Sequence, residues 1–227
     1  MKIAIMQPYF FPYIGYFQLI CSVDEYIFLD NVNFIKRGFI NRNKILLQGG
    51  AFAFSIPVKN VSQNRKIIEH EYSGEFSLFL KQINAAYRRA PNFEEIYNLI
   101  EKICLNPDLN VARKNALGIQ EILSYLDVPF KIKFASSISI NDELQGQDRI
   151  IALCKARGAT SYANAIGGKD LYSENDFIKQ GITLSFYKAD IKPYAQYAKP
   201  FVENLSIIDL LMFRGKDALS ALLDKEL

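Results

Sequence analysis

Four polar clusters hold the residue types from which a site could be made, and each stands beside an apolar run. Gln7, Tyr9 and Tyr13 come first. Asp30, Asn31 and Asn33 follow, then Lys36, Arg37, Asn41, Arg42 and Asn43, and late in the chain Asn164, Gly167, Gly168, Lys169 and Tyr172. A carboxylate just past a strand orients a ribose or an amine; Asp30 can do that, or can cap the turn that follows it. Lys36, Arg37 and Arg42 are phosphate-clamping types, the arginines through two parallel N–H groups, although a solvated basic loop has the same composition. The Asn41-Arg42-Asn43 run tilts the reading toward a ligand, because so dense a hydrogen-bonding stretch beside apolar strands needs partners. Gly167-Gly168-Lys169 lets backbone N–H groups approach an anion with a cation beside them. It lacks the Gly-x-x-x-x-Gly-Lys-Ser/Thr spacing of a P-loop.

The first cluster lies in a stiff aromatic turn. The apolar run Lys2–Met6 enters Gln7-Pro8-Tyr9-Phe10-Phe11-Pro12-Tyr13, and Gly15 and Tyr16 open a helix. Pro8 and Pro12 restrict the backbone, and Pro12 biases Phe11 away from helix. Gly15 permits close approach of a ligand or another backbone. The turn therefore reads as the floor of a substrate pocket or as a set of ordinary core aromatics.

Other catalytic classes find less support. His70 is the one histidine, which excludes a His-rich centre, and it reads as facing solvent. No Gly-x-Ser-x-Gly elbow accompanies it, and no metal-ligand spacing occurs. Cys21, Cys104 and Cys154 are widely spaced in apolar surroundings, as reduced thiols of a cytoplasmic protein are. The formal charge of +3 and the 22% of charged residues do not mark a general nucleic-acid binder. No apolar run has the length of a membrane span, and the first residues do not read as a signal peptide.

Positioning these clusters calls for alternating elements. Strands are expected at Lys2–Met6, Glu25–Leu29, Phe130–Phe134, Ser161–Asn164 and Ile182–Tyr187, with helices at Gly15–Val23, Gln147–Ala156, Leu171–Lys179, Ser206–Phe213 and Asp217–Asp224. Gly158 suits a left-handed cap. Lys44–Gln48 and Ala51–Val58 flank Gly49-Gly50 as a hairpin. Apolar spacing of three and four predicts helices over Phe76–Arg89, Phe93–Cys104 and Leu109–Leu126. The expectation is one α/β domain over residues 1–227 with an open, mostly parallel sheet and a helical insertion at about 74–127.

Read together, the motifs resemble the WbqC-like family. The likeness runs through Gln7-Pro8-Tyr9, Pro12, Gly15-Tyr16-Phe17, Asp30-Asn31-Val32-Asn33, Lys36-Arg37, Asn41-Arg42-Asn43 and Pro57-Val58. It continues through Arg149-Ile150-Ile151, Cys154-Lys155, Gly158-Ala159, Gly167-Gly168-Lys169, Tyr172 and Leu205–Leu211. The family usually reads Asp-Asp-Val-Gln where this chain has Asp30-Asn31-Val32-Asn33, so one carboxylate is lost at Asn31. Its members sit in bacterial O-antigen and other surface-glycan clusters. The resemblance implies an amide-forming transferase or ligase that attaches glycine or another acyl group to a nucleotide-linked, for instance dTDP-linked, amino sugar. On that reading Asp30, Gln7 and Tyr9 are catalytic and the other cluster residues bind substrate. The activated donor is an acyl adenylate made from ATP, an acyl thioester or an aminoacyl-tRNA. The opening strand, Pro12, Gly15 and helix also resemble the nucleotidylyltransferase-type (HUP-like) fold. Tyr13 and Tyr16 replace the two histidines of its His-x-Gly-His motif, so histidine-assisted adenylyl transfer is not implied. The rival readings are a non-catalytic nucleotide-sugar-binding module, an acyltransferase with a carrier-bound donor and no ATP step, and RNA binding through the Lys36–Arg42 loop.

Overall fold

The fold comes from a computed structural model that describes residues 1–223. In chain order it has β1 (Lys2–Met6), α1 (Ile14–Cys21), β2 (Glu25–Phe28), β3 (Arg42–Leu47) and β4 (Gly50–Ser55). Three helices follow, α2 (Ser77–Tyr87), α3 (Phe93–Leu105) and α4 (Val111–Tyr125). Then come β5 (Ile132–Phe134), α5 (Gly146–Ala156), β6 (Ser161–Ala165), α6 (Glu174–Lys179) and β7 (Thr183–Tyr187). Helices α7 (Ile207–Arg214) and α8 (Ala218–Leu223) end the described chain; Asp224, expected as the end of the last helix, lies outside it.

The protein is α/β, and the chain divides into two compact units. The first holds Met1–Gln7, Gly15–Asn31 and Phe130–Asp190. Its open sheet has the order β5-β2-β1-β6-β7, with every pairing parallel. Ile3, Ala4 and Ile5 of the central strand are all buried, as a parallel strand covered on both faces requires. Tyr162 and Phe177 stack at 5.5 Å within the core between β6 and α6. After α5, Gly158 takes a left-handed φ of +66° and the Ala159 N–H bonds to the Cys154 carbonyl at 2.9 Å, the expected cap. Glu25 opens β2 fully buried; it accepts from the Arg157 guanidinium and pairs with Lys131. The Arg157 hydrogen bond holds its carboxyl below the usual range. The chain passes from β1 to β2 and β5 on one side and fills β6 and β7 on the other. The order therefore reverses between β1 and β6, beyond whose carboxyl ends open α/β sheets bind ligands.

The second unit holds Pro8–Ile14, Val32–Pro129 and the described chain from Ile191. The expected helical stretch is α2, α3 and α4, packed with the β3–β4 hairpin and α7. The hairpin turn is Gln48-Gly49, one residue earlier than expected, because Leu47 pairs with Gly50. Both turn residues have positive φ, as a two-residue turn matched to strand twist demands. The late helix expected from Leu171 begins only at Glu174, since residues Ile166–Leu171 form a 3-10 helix. His70 does not face solvent. It is fully buried, its Nε2 accepts from the Ser62 N–H and its Nδ1 faces the Lys66 carbonyl, a fold-holding role. Asp209 in α7 is also fully buried. It accepts from Tyr87, Tyr194 and Gln196 at 2.7–2.8 Å, and burial raises its carboxyl above the usual range.

Candidate functional site

In the first unit the β-ladders set Met6 opposite Phe28, Phe28 opposite Phe134 and Ala4 opposite Ala163. The segments leaving β5, β2, β1 and β6 thus start from one edge of the sheet, and they carry Ser136, Asp30, Gln7 and the Asn164–Lys169 stretch. Asp30 has no solvent exposure. Its Oδ1 accepts the Ser136 N–H at 2.9 Å and its Oδ2 accepts the Ser136 hydroxyl at 2.6 Å. Ser136 itself is exposed, so the carboxylate aims a hydroxyl that solvent can reach. Asn31 is 8% exposed and its Oδ1 has no hydrogen-bond partner. An orphaned buried acceptor costs about 1–3 kcal/mol. Gln7 is half-buried, and its carbonyl accepts the Tyr16 hydroxyl at 2.8 Å. On β6, Asn164 bonds the Ala165 N–H at 2.7 Å and reaches the Tyr172 hydroxyl. A Cβ on Gly168 would lie 2.8 Å from Asn164 Nδ2, so any larger residue there must displace the Asn164 amide. Lys169 is exposed.

The second unit has its own cavity, of about 270 Å³, lined by Tyr9, Pro12, Tyr13, Phe39, Asn43 and Asn204. The sequence makes its wall rigid. Asn115, buried in α4, donates to the Pro8 carbonyl at 3.0 Å and the Ile40 carbonyl at 2.7 Å. The Phe10 N–H also bonds the Ile40 carbonyl, which ties the 8–14 turn to the segment bearing Phe39. Phe11 is not extended, as the following proline would favour, but left-handed with φ +45°. Its carbonyl accepts from Asn43 Nδ2 at 2.6 Å and Ser206 Oγ at 2.8 Å, and these two bonds hold the conformation. The Ile207 N–H takes the Pro12 carbonyl at 2.9 Å. Burial raises the Tyr9 and Tyr13 hydroxyls above their usual pKa, so both remain donors.

The sequence clusters therefore divide between the units. Gln7, Asp30, Asn31, Asn164, Gly167, Gly168, Lys169 and Tyr172 belong to the first; Tyr9, Pro12, Tyr13, Asn33, Lys36, Arg37, Asn41, Arg42 and Asn43 belong to the second. Gly15 and Tyr16 are buried in α1 and build the strand-to-helix turn instead of lining an open surface. Asn41 and Asn43 are committed to main chain, Asn41 to the Ile56 carbonyl at 2.8 Å and Asn43 to Phe11. Their density, read as a ligand signal, is explained by the fold. Asn33, Lys36 and Arg37 are exposed, and Arg42 is half-buried opposite Ser55.

The WbqC-like protein family profile matches residues 7–221. The chain belongs to the WbqC-like family. It is also 28% identical over 222 residues to the uncharacterized protein Rv1507c of Mycobacterium tuberculosis, a match that covers 96% of this chain and 95% of that protein. No solved structure matches.

Sequence reasoning passed over three residues of this WbqC-like chain. Ser136 stands in an unremarkable Ala135–Ser137 turn, and its signal is only that it falls one strand over from Asp30. Phe39 and Asn204 show no motif; an apolar residue inside a basic loop was the available clue. Among the described residues no group of three or more His, Cys, Asp or Glu could hold a metal ion. No described helix is long and apolar enough to cross a membrane. Burial pushes the Cys104 and Cys154 thiols up to about 12, which leaves them inert.

Proposed function

We propose that the protein joins glycine, or another acyl group, to the amino group of a nucleotide-linked amino sugar, forming an amide in surface-glycan assembly. The observation that carries this reading is the sheet rim, where the buried Asp30 carboxylate holds the hydroxyl of the exposed Ser136. Only a free amine attacks an acyl carbon. One N–H of the sugar ammonium gives its proton to Ser136 Oγ while the Ser136 proton passes to Asp30, so one proton moves from ammonium to carboxylate. Asp30 thus acts through Ser136 and does not touch the substrate. The freed amine forms the C–N bond as the acyl C–O or C–S bond breaks; the adenylate, tRNA or thiolate leaves with the bonding electrons, and the nitrogen's remaining extra proton passes to that leaving group or to water. Lys169 and the Gly167–Gly168 backbone counter negative charge on the donor.

The test is mass spectrometry of a dTDP-linked amino sugar incubated with the protein, glycine and ATP. A product heavier by one glycyl residue is the expected result, with Asp30→Asn lowering turnover far more than binding. Product formed only from an acyl thioester or glycyl-tRNA would keep the amide chemistry and remove ATP. Tight sugar-nucleotide binding with no product from any donor would overturn the enzyme reading in favour of a binding module.

A further inference from the structure

The cavity of the second unit is not used by the chemistry above. Its walls are rings and a proline, and its volume of about 270 Å³ is below the 300–1,000 Å³ of pockets for whole drug-sized ligands, so it suits a single flat group. Phe39 is 56% exposed although its neighbour Ile40 is fully buried, and its ring leans over Tyr9 at 5.9 Å and 52°. An exposed aromatic that the core does not need is a stacking surface. The wall is preformed, because Phe11, beside the lining residue Pro12 and bonded by the lining residue Asn43, holds a left-handed φ without being glycine. Such strain persists where the surrounding bonds over-determine it, and it clusters at ligand clamps. Asn204, another left-handed residue, lines the cavity, and an asparagine amide is a donor and acceptor pair of the kind that matches the edge of a heterocyclic base. Lys36 and Arg37 precede Phe39 by three and two residues and are exposed, cations of the type that binds phosphate.

We infer that this cavity is a nucleobase slot, in which the base stacks on Phe39 with Pro12 and Tyr13 as walls and pairs its edge with Asn204. The inference rests on the proposed function only in its choice of nucleotides, a dTDP-type and an adenine nucleotide, whose bases the slot would take. Stacking of a base on an aromatic side chain is sequence-tolerant and strong enough to measure by truncation.

The experiment is isothermal titration of the full chain with dTDP and, separately, ADP. Whichever nucleotide binds identifies the source of the base. Phe39→Ala should weaken that nucleotide at least about tenfold, and Phe39→Tyr should restore it; the exposure of Phe39 makes both variants compatible with folding. Saturation-transfer NMR should show the base protons closer to the protein than the ribose protons. Unchanged affinity in Phe39→Ala, or no binding of either nucleotide to the wild type, overturns the slot. The two readings fail separately. Glycyl transfer with a nucleotide affinity that is unaffected by Phe39→Ala removes the slot and leaves the enzyme. Phe39-dependent nucleotide binding without transfer from any donor leaves the slot and removes the enzyme.

Discussion

Replacing Asn43 by alanine tests how the cavity wall is made. Asn43 is 6% exposed, and its Nδ2 donates at 2.6 Å to the Phe11 carbonyl in a buried setting. Losing that bond costs about 1–1.5 kcal/mol, and the small void left behind adds roughly 1 kcal/mol. The other bond of Asn43, from the Lys44 N–H, adds little because it is only partly buried and water can replace it. The expected destabilisation is about 2–3 kcal/mol, or roughly 5–10 °C in Tm for a chain of this size. Ser206→Ala removes the second donor to Phe11 and the cap on the Ile208 N–H, at about 1–2 kcal/mol.

The decisive quantity is the double variant. Each single change leaves the Phe11 carbonyl one partner. The pair leaves it bare in the interior and frees Phe11 to abandon its left-handed φ, so the combined loss should exceed the sum by more than about 0.5 kcal/mol. Urea titration followed by tyrosine emission is suited to the measurement, since the chain has 13 tyrosines and no tryptophan. Strict additivity, or a single loss in Asn43→Ala below about 0.5 kcal/mol, would refute the claim that these two donors share and enforce the Phe11 conformation.

Three further outcomes are expected. Gly168→Ala puts a Cβ 2.8 Å from Asn164 Nδ2, so it should displace that amide from Tyr172 and destabilise by about 1–3 kcal/mol, read by thermal melting; a neutral result would mean the Asn164 contact is dispensable. Native protein treated with a disulfide reagent at pH 8 should release thiol from Cys21 at most, because Cys104 and Cys154 are buried with thiols near 12, and all three should react in denaturant. Glu25 ionises in the folded protein below its ordinary 4.5, so its ion pairs add stability above that value and lose it as pH falls through the lower folded value. Glu25→Gln should therefore be less stable at neutral pH and should flatten the acid limb of a pH–stability curve. Asp209, raised by burial, has the opposite sign: its contribution weakens as pH climbs from 3.8 through the folded value.

The alternation of strands and helices was legible because the central strands are continuous apolar runs and the helices α2–α4 carry clean three- and four-residue spacing. Expected and observed ends of those helices agree closely, from Phe76–Arg89 against Ser77–Tyr87 to Leu109–Leu126 against Val111–Tyr125. The division into two units was not legible. Residues 8–14 follow β1 and run into the first residue of α1, yet belong with the hairpin and helices, through bonds from Asn115, Asn43 and Ser206 that span 32 to 195 residues. His70 misled because a single polar residue after Ile-Ile-Glu gives no sign of carbonyl and amide partners waiting for its ring.

The asparagines show what separates a fold signal from a ligand signal. A polar side chain next to apolar strands must find partners, and the main chain of irregular loops supplies many. Asn41, Asn43, Asn110 and Asn115 all donate to backbone carbonyls, so their spacing tracks where the chain leaves regular structure. Subtracting groups spent in this way leaves a shorter set: the hydroxyl of the exposed Ser136, anchored by Asp30; and the exposed Lys36, Arg37, Phe39 and Asn204. In sequence those residues are less conspicuous than the asparagine run. Chemically they are the ones with capacity left over, and capacity left over after folding is what a ligand can use.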